Sequence, residues 1–315
     1  MARTVPKVQD NSECAPMLGK MMDFFGSGTS TSSKGPRRRE NLQRRFSIVS
    51  ETSQGSMSRV YRAIDNLTAR TVCLKVQSRE KNEAAKLRAS VSEIRPPEGE
   101  MAIQFVHPHI VRTLEYGTST QGEHYLVMEY IDGVSIQYVR ESRSARTAQK
   151  VELLAQAAEG LAAVHASGFI HHDINPRNFL VDRDQNVKLI DFGLTVPNAP
   201  AFRRPGNRTG TVHYMAPELL RREPIDERID IFAFGVLAFE FLTDRLPYDA
   251  TNTTTMMLQR INSEPLNPAA VKPKLSDELC NILRQLTARR KDERWPRMCT
   301  LADALRSIPV KRQRV

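Results

Sequence analysis

At 315 residues, with 40% hydrophobic and 26% charged residues, the chain is long enough to bury one large core or two smaller ones. A formal charge of +10 suggests a nucleic-acid binder, but the basic excess concentrates in the first 45 residues and the last five, leaving the body between them close to neutral. Four cysteines, Cys14, Cys73, Cys280 and Cys299, show neither metal-ligand spacing nor disulfide density, which argues against a zinc module and for a reducing, cytoplasmic setting.

Residues 1–44 read as a disordered basic leader. The stretch GSGTSTSSKGPRRRENLQRR offers almost no apolar surface to offset the entropy of ordering it. Within the leader, Met17 to Phe25 forms a short amphipathic piece, and the basic ends read first as solvated tails, with weak contact to an anionic surface as the alternative. No apolar run of about 18 residues appears, so no transmembrane segment is expected.

From residue 45 to residue 130 the pattern is strand-like. FSIVSET, RVYRAID and TVCLKVQ, the last two separated by a polar turn at Asn66 to Arg70, predict an antiparallel meander, and TLEYGTS with HYLVMEY predicts a further strand pair. From residue 131 to residue 310 helical spacing dominates, as in Val151, Leu154, Ala158, Leu161 and His165. IDIFAFGVLAFEFL is apolar around its whole circumference and too short to span a bilayer, so it predicts a buried central helix. Residues 311–315 form a basic tail. The expected class is α+β, a small antiparallel β lobe followed by a larger helical lobe.

The densest chemical signal is HHDINPRNFLV, followed after DRDQ by VKLIDFGL. It places Asp173, Asn178 and Asp191 in two neighbouring loops, where hard oxygens can converge on Mg²⁺. Here the chain resembles the protein kinase family, whose catalytic loop reads H-R-D-x-x-x-x-N and whose metal loop reads D-F-G. The resemblance implies a bilobal kinase fold with one regulatory helix, ATP with Mg²⁺ or Mn²⁺ as cofactors, and transfer of the γ-phosphate to serine or threonine of protein substrates.

Carried over residue by residue, the resemblance makes Asp173 the group that accepts or orients the substrate hydroxyl proton. Asn178 and Asp191 become metal ligands, and Lys75 in TVCLKVQ pairs the phosphates. The lysine's expected partner is Glu98, counted back from HPHIV, with Glu93 and Glu100 as alternatives; Pro96 and Pro97 suggest a helix that begins late, with proline in its first turn. Thr211 in GTVHYMAPE is expected to bridge to Asp173, Glu218 to pair with Arg294, and Asp230 to hold the catalytic-loop backbone. Met128 would stand at the back of the adenine pocket, Glu129 to Ile131 would supply backbone hydrogen bonds, and Val60, Cys73 and Leu180 would sandwich the ring.

The chain also departs from the family pattern. Its phosphate-covering loop, Ser53, Gln54, Gly55, Ser56, Met57 and Ser58, keeps only the middle glycine. His172 replaces the usual Arg, and Asn207 stands where a phosphorylated residue is usual, with Thr209 nearby, so activity is expected not to require loop phosphorylation. Asn175 replaces the usual lysine beside the γ-phosphate, which is expected to slow transfer unless Arg177 or a second metal compensates. These departures keep open a pseudokinase, binding nucleotide or acting as a scaffold without turnover. A nucleic-acid-binding regulator built on the basic ends is the less favoured reading.

Overall fold

The computed structural model describes residues 39–54, 58–78, 95–204, 210–248 and 252–308. After a first short helix, α1 (Leu42–Arg45), come β1 (Phe46–Gln54), β2 (Ser58–Asp65) and β3 (Arg70–Gln77), then a five-residue helix α2 (Glu98–Ala102), β4 (Thr113–Thr118) and β5 (His124–Glu129). The five strands form one antiparallel sheet in the order β1-β2-β3-β5-β4. The polar turn falls where expected, between Asp65 and Arg70, and the Asp65 carboxylate accepts a hydrogen bond from the Leu67 N–H at 3.0 Å.

Strand alternation divides this sheet into two unlike faces. Val72, Leu74 and Val76 of β3 join Tyr125 and Val127 of β5, with Phe46 and Ala63, in a small apolar cluster. The opposite face carries Cys73 and Lys75 on β3 beside Leu126 and Met128 on β5, with Cys73 opposite Met128 and Lys75 opposite Leu126. Leu126 and Met128 belong to the main core and Cys73 packs against it. The period of two therefore delivers a lysine to an interior face.

The rest of the chain is mostly helical. It runs through β6 (Gly133–Ser135), α3 (Ile136–Glu141), α4 (Thr147–Ala166), β7 (Phe169–Ile170), β8 (Phe179–Asp182), β9 (Val187–Leu189) and β10 (Val196–Pro197). Then follow α5 (Pro217–Arg221), α6 (Arg228–Thr243), α7 (Thr253–Asn262), α8 (Pro268–Val271), α9 (Asp277–Leu286) and α10 (Met298–Ser307). Helix α6 is the predicted central helix, and every residue from Ile229 to Thr243 is buried. At Gly235 a Cβ would stand 2.6 Å from Leu286 Cβ, so α9 crosses against bare backbone.

The ordered body begins before residue 45, inside the stretch whose composition predicts a disordered leader. Glu40 donates its N–H to the Thr118 carbonyl at 3.1 Å and accepts from the Thr120 N–H at 2.8 Å, and the Asn41 side chain caps α1 through the Arg44 N–H. Arg45 then donates to both oxygens of Asp65, at 3.3 and 3.2 Å, and to both oxygens of Glu115, at 2.8 and 2.9 Å. Composition weighs apolar burial, whereas this segment is held by backbone hydrogen bonds and charge pairing. The remainder of the leader, residues 1–38, lies outside the described residues, as does the basic tail.

Replacing Arg45 by Met leaves the buried Asp65 carboxylate without its cation, and because Glu115 keeps some solvent access the loss is expected to be about 2 kcal/mol. Urea unfolding of the variant checks this; a midpoint equal to that of the wild type would mean that the segment before β1 is not part of the stable body.

Candidate active site

Two polar clusters meet beneath the sheet. The first is built on Lys75, whose ammonium donates to Glu98 Oε1 at 2.7 Å and to Asp191 Oδ1 at 2.7 Å. Burial pushes this lysine down, but the carboxylates of Glu98 and Asp191 outweigh it and hold the amine above its ordinary value. The same ammonium holds Asp191 below the usual carboxylate range against the opposing effect of burial.

Of the alternatives for the partner of Lys75, the structure selects Glu98; Glu100 lies on the same helix without reaching it, and Glu93 lies outside the described residues. The prolines fall before the helix rather than in its first turn. Pro97 occupies the N-cap position, where its missing N–H leaves no intrahelical bond unmade. Glu98 Oε2 accepts a 2.6 Å hydrogen bond from Gln77 Nε2. Sequence reasoning missed Gln77, although strand alternation contained the signal, since it follows Lys75 by two residues on the same face.

Asp191 has a left-handed backbone, with φ of 64°, which a non-glycine residue adopts only under local constraint. Three contacts supply it: Lys75, the Gly193 N–H on Asp191 Oδ1 at 3.0 Å, and the next residue, Phe192, buried against the His171 ring at 5.3 Å and the Phe105 ring at 4.8 Å. Phe192 acts as the anchor that fixes where Asp191 stands.

The second cluster lies in the loop from His171 to Asn178. The Asp230 carboxylate, fully buried at the start of α6, accepts from the N–H groups of His171 at 2.7 Å and His172 at 2.9 Å, and lies 2.9 Å from His165 Nε2. Burial pushes this carboxyl up, yet the hydrogen bond with His165 and the nearby imidazoles hold it below the ordinary range. Asp173 Oδ1 accepts from both the Thr211 hydroxyl at 2.7 Å and the Thr211 N–H at 2.9 Å, while Asn178 Nδ2 reaches Asp173 Oδ2 at 3.0 Å. Gly210, with φ of 104°, passes so close that a Cβ there would stand 2.5 Å from the His172 carbonyl. The two clusters are tied together by the Ile190 N–H, which donates to the Asn178 carbonyl at 2.8 Å.

Asn175, in the place of the usual lysine, is a neutral brace. Its Nδ2 reaches the Asp173 carbonyl at 3.2 Å and the Thr211 hydroxyl at 3.3 Å, and its Oδ1 accepts from the Arg177 N–H at 3.0 Å. Arg177 is exposed and donates from Nε to Gln137 Oε1 at 2.7 Å. Glu218 and Arg294 form a buried two-bond ion pair at 2.6 and 2.7 Å. Arg294 also donates to three backbone carbonyls.

For the adenine-pocket expectations, Val60 and Cys73 are half-buried on the sheet face described above, and burial pushes the Cys73 thiol up to about 11, so it is a protonated, unreactive group at neutral pH. Met128 is buried at the sheet's inner face, and Ile131 packs against the main core. Leu180 is half-buried on β8, opposite Ser135 and Lys188. The Glu129 N–H already donates to the Arg112 carbonyl at 2.9 Å, so any backbone donor in this stretch comes from Tyr130 or Ile131. Ser58 opens β2; Gly55, Ser56 and Met57 lie outside the described residues, and of Ser53 and Gln54 only the backbone path at the end of β1 is described. Asn207 and Thr209 also lie outside them.

Burial pushes the imidazoles of His171 and His172 below the ordinary histidine value, with Asp230 opposing. A folded value below the unfolded one means that the unfolded chain binds more protons once pH falls below about 6.5, so stability declines on that side. Thermal unfolding between about pH 7.5 and 5.5 is expected to show Tm falling toward acid; a flat profile would contradict neutral buried imidazoles.

Residues 46–305 match the family described as protein kinase domain. A probable serine/threonine-protein kinase of Bifidobacterium longum, pknA2, is 29% identical over 272 residues, covering 86% of this chain and 36% of that protein. The serine/threonine-protein kinase PrkC of Bacillus subtilis is 27% identical over 252 residues, covering 79% of this chain and 38% of that protein. The serine/threonine-protein kinase pkn2 of Myxococcus xanthus is 31% identical over 274 residues, covering 84% and 32%. The chain thus spans well under half the length of these curated relatives.

Proposed function

The chain belongs to the protein kinase family, and from that premise we propose that it is an ATP-dependent protein serine/threonine kinase acting on protein hydroxyls. The observation that carries the reading is the simultaneous presence of the Lys75–Glu98 pair, the Lys75–Asp191 contact and the Asp173–Thr211 bridge. Phosphoryl transfer asks the protein mainly for position and charge, which these contacts supply.

In this reading Lys75, held charged by two carboxylates, orients the phosphates of ATP. Asp173 receives the acceptor hydroxyl; Thr211 holds Oδ1 through two hydrogen bonds and Asn178 holds Oδ2 through one, so Oδ2 keeps capacity to accept another. Asn178 Oδ1 and Asp191 Oδ2 make none of the hydrogen bonds described above and are hard oxygens suited to Mg²⁺ or Mn²⁺. Among the described residues no cluster of three or more His, Cys, Asp or Glu forms a ready-made metal cage. In this reading the ion would be held by Asn178 and Asp191 together with phosphate oxygens, and it would neutralise charge on the phosphates. Adenine would lie between Val60 and Cys73 on one side and Leu180 on the other, with Met128 at the back of the pocket, hydrogen-bonded to the backbone of Glu129 to Ile131, with the loop Ser53 to Ser58 covering the phosphates.

Asn175 carries no charge toward the γ-phosphate, and Arg177 is engaged with Gln137, so a slow enzyme is the expectation. Its bracing contacts keep Asp173 and Thr211 together, which favours a working site over nucleotide binding alone. No described helix is long and apolar enough to cross a membrane. The free thiols Cys73 and Cys280 support a cytoplasmic setting.

Incubation with labelled ATP, Mg²⁺ or Mn²⁺ and a basic protein acceptor is expected to place label on serine and threonine, read by mass spectrometry. Asp173→Asn and Lys75→Met should each lower incorporation by at least about 100-fold. Wild-type protein that binds ATP but transfers nothing with either metal would replace this reading with the nucleotide-binding one.

A further inference from the structure

Among the described residues, Arg260 on α7 heads the fully buried large side chains, at 0% exposure. Among the described residues no carboxylate lies within ion-pair distance of it. Its guanidinium instead donates to three carbonyls of one tight turn: from NH1 to Val212 at 2.9 Å and Met215 at 3.0 Å, and from NH2 to His213 at 2.7 Å. The group lies between two rings, 5.3 Å from the Tyr248 centroid and 5.9 Å from that of Phe232.

Burying an arginine without a carboxylate is unfavourable, and among the described residues its Nε finds no hydrogen-bond partner. Burial pulls it down to about 10, which still leaves it charged at neutral pH. Three carbonyl dipoles aimed at one point are the compensation. A lysine or an apolar residue would not match that geometry, because only the planar guanidinium presents donors in a fixed fork.

The turn it holds begins at the residue after Thr211, whose hydroxyl and N–H both lie on Asp173. On its other side the same turn is pinned by the Tyr214 hydroxyl, which donates to Glu240 Oε2 at 2.6 Å; Glu240 is in turn paired with Arg140. It then runs into α5, where Glu218 meets Arg294. Val212 is half-buried and His213 exposed, so the turn presents a surface beside Asp173 while its carbonyls point inward.

We propose that Arg260 is a positioning residue for the protein acceptor: by gathering the carbonyls of Val212, His213 and Met215 it sets the surface on which the acceptor segment lies and keeps Thr211 on Asp173. This rests on the kinase reading above and adds to it a determinant of acceptor binding that lies outside the nucleotide cluster. The structure separates the two functions, since Arg260 makes no contact with Lys75, Glu98 or Asp191.

The test uses the full chain with Arg260→Lys and Arg260→Met, myelin basic protein as acceptor, and amide hydrogen exchange read over residues 211–216. Both variants are expected to raise the acceptor KM and the exchange rate of that segment by about tenfold or more, with the KM for ATP within about twofold and Arg260→Lys the milder. Acceptor and ATP constants moving together, or exchange unchanged at 211–216, would overturn the proposal. If Arg260→Met loses its nucleotide-induced rise in Tm, Arg260→Lys decides alone. A wild-type protein that transfers no phosphate refutes the kinase reading instead, and the exchange measurement still decides whether Arg260 holds the turn.

Discussion

A buried ammonium must be surrounded by negative charge, and much of this site follows from that requirement at Lys75. Strand alternation on β3 sends the lysine to the inner face of the sheet, away from water. Two carboxylates compensate it, one from α2 and one from the loop after β9, so three segments far apart in sequence are fixed relative to one another. Removing Lys75 would leave the buried Glu98 carboxylate without its cation, which is far more unfavourable than losing the net attraction of the pair. Gln77 completes the arrangement by occupying the second oxygen of Glu98.

The helical side relies on the same device in another form. Helix α6 has no polar face, yet it buries Asp230 and Glu240 among its phenylalanines. Asp230 collects the N–H groups of the loop at His171 and His172, and Glu240 collects Tyr214 and Arg140. Arg294 and Arg260 act in the opposite sense, gathering carbonyls. Irregular segments that lack a ladder of their own are thus held by buried charges pointed at their backbones. This explains how loops without regular structure keep Asp173, Asn178 and Thr211 at hydrogen-bond distance.

How much of this was legible in the sequence depended on the range of the interaction. Short-period patterns were readable: the alternating strands, the all-round apolar helix, and the spacing that puts Asp173, Asn178 and Asp191 in adjacent loops. Glu98 is the partner that spacing from HPHIV favours, but Glu93 and Glu100 stay open, because the contact joins two segments whose register the sequence does not reveal. Arg45 and Arg260 were invisible. Each looks like a solvated cation by type, and nothing local announces the carboxylates at 65 and 115 or the carbonyls near 213 that take them inside. Asn175 was read as a lost charge, and the structure adds that it is a brace.

The central claim is that Lys75, Glu98 and Asp191 act as one unit, and a double-mutant cycle on phosphate transfer tests it most directly. If they do, Lys75→Met and Glu98→Gln each lower kcat, and the double variant is scarcely worse than Lys75→Met alone, because the glutamate has no further role once the ammonium is gone. Losses that simply multiply in the double variant would show that the two residues act independently, and would contradict the account.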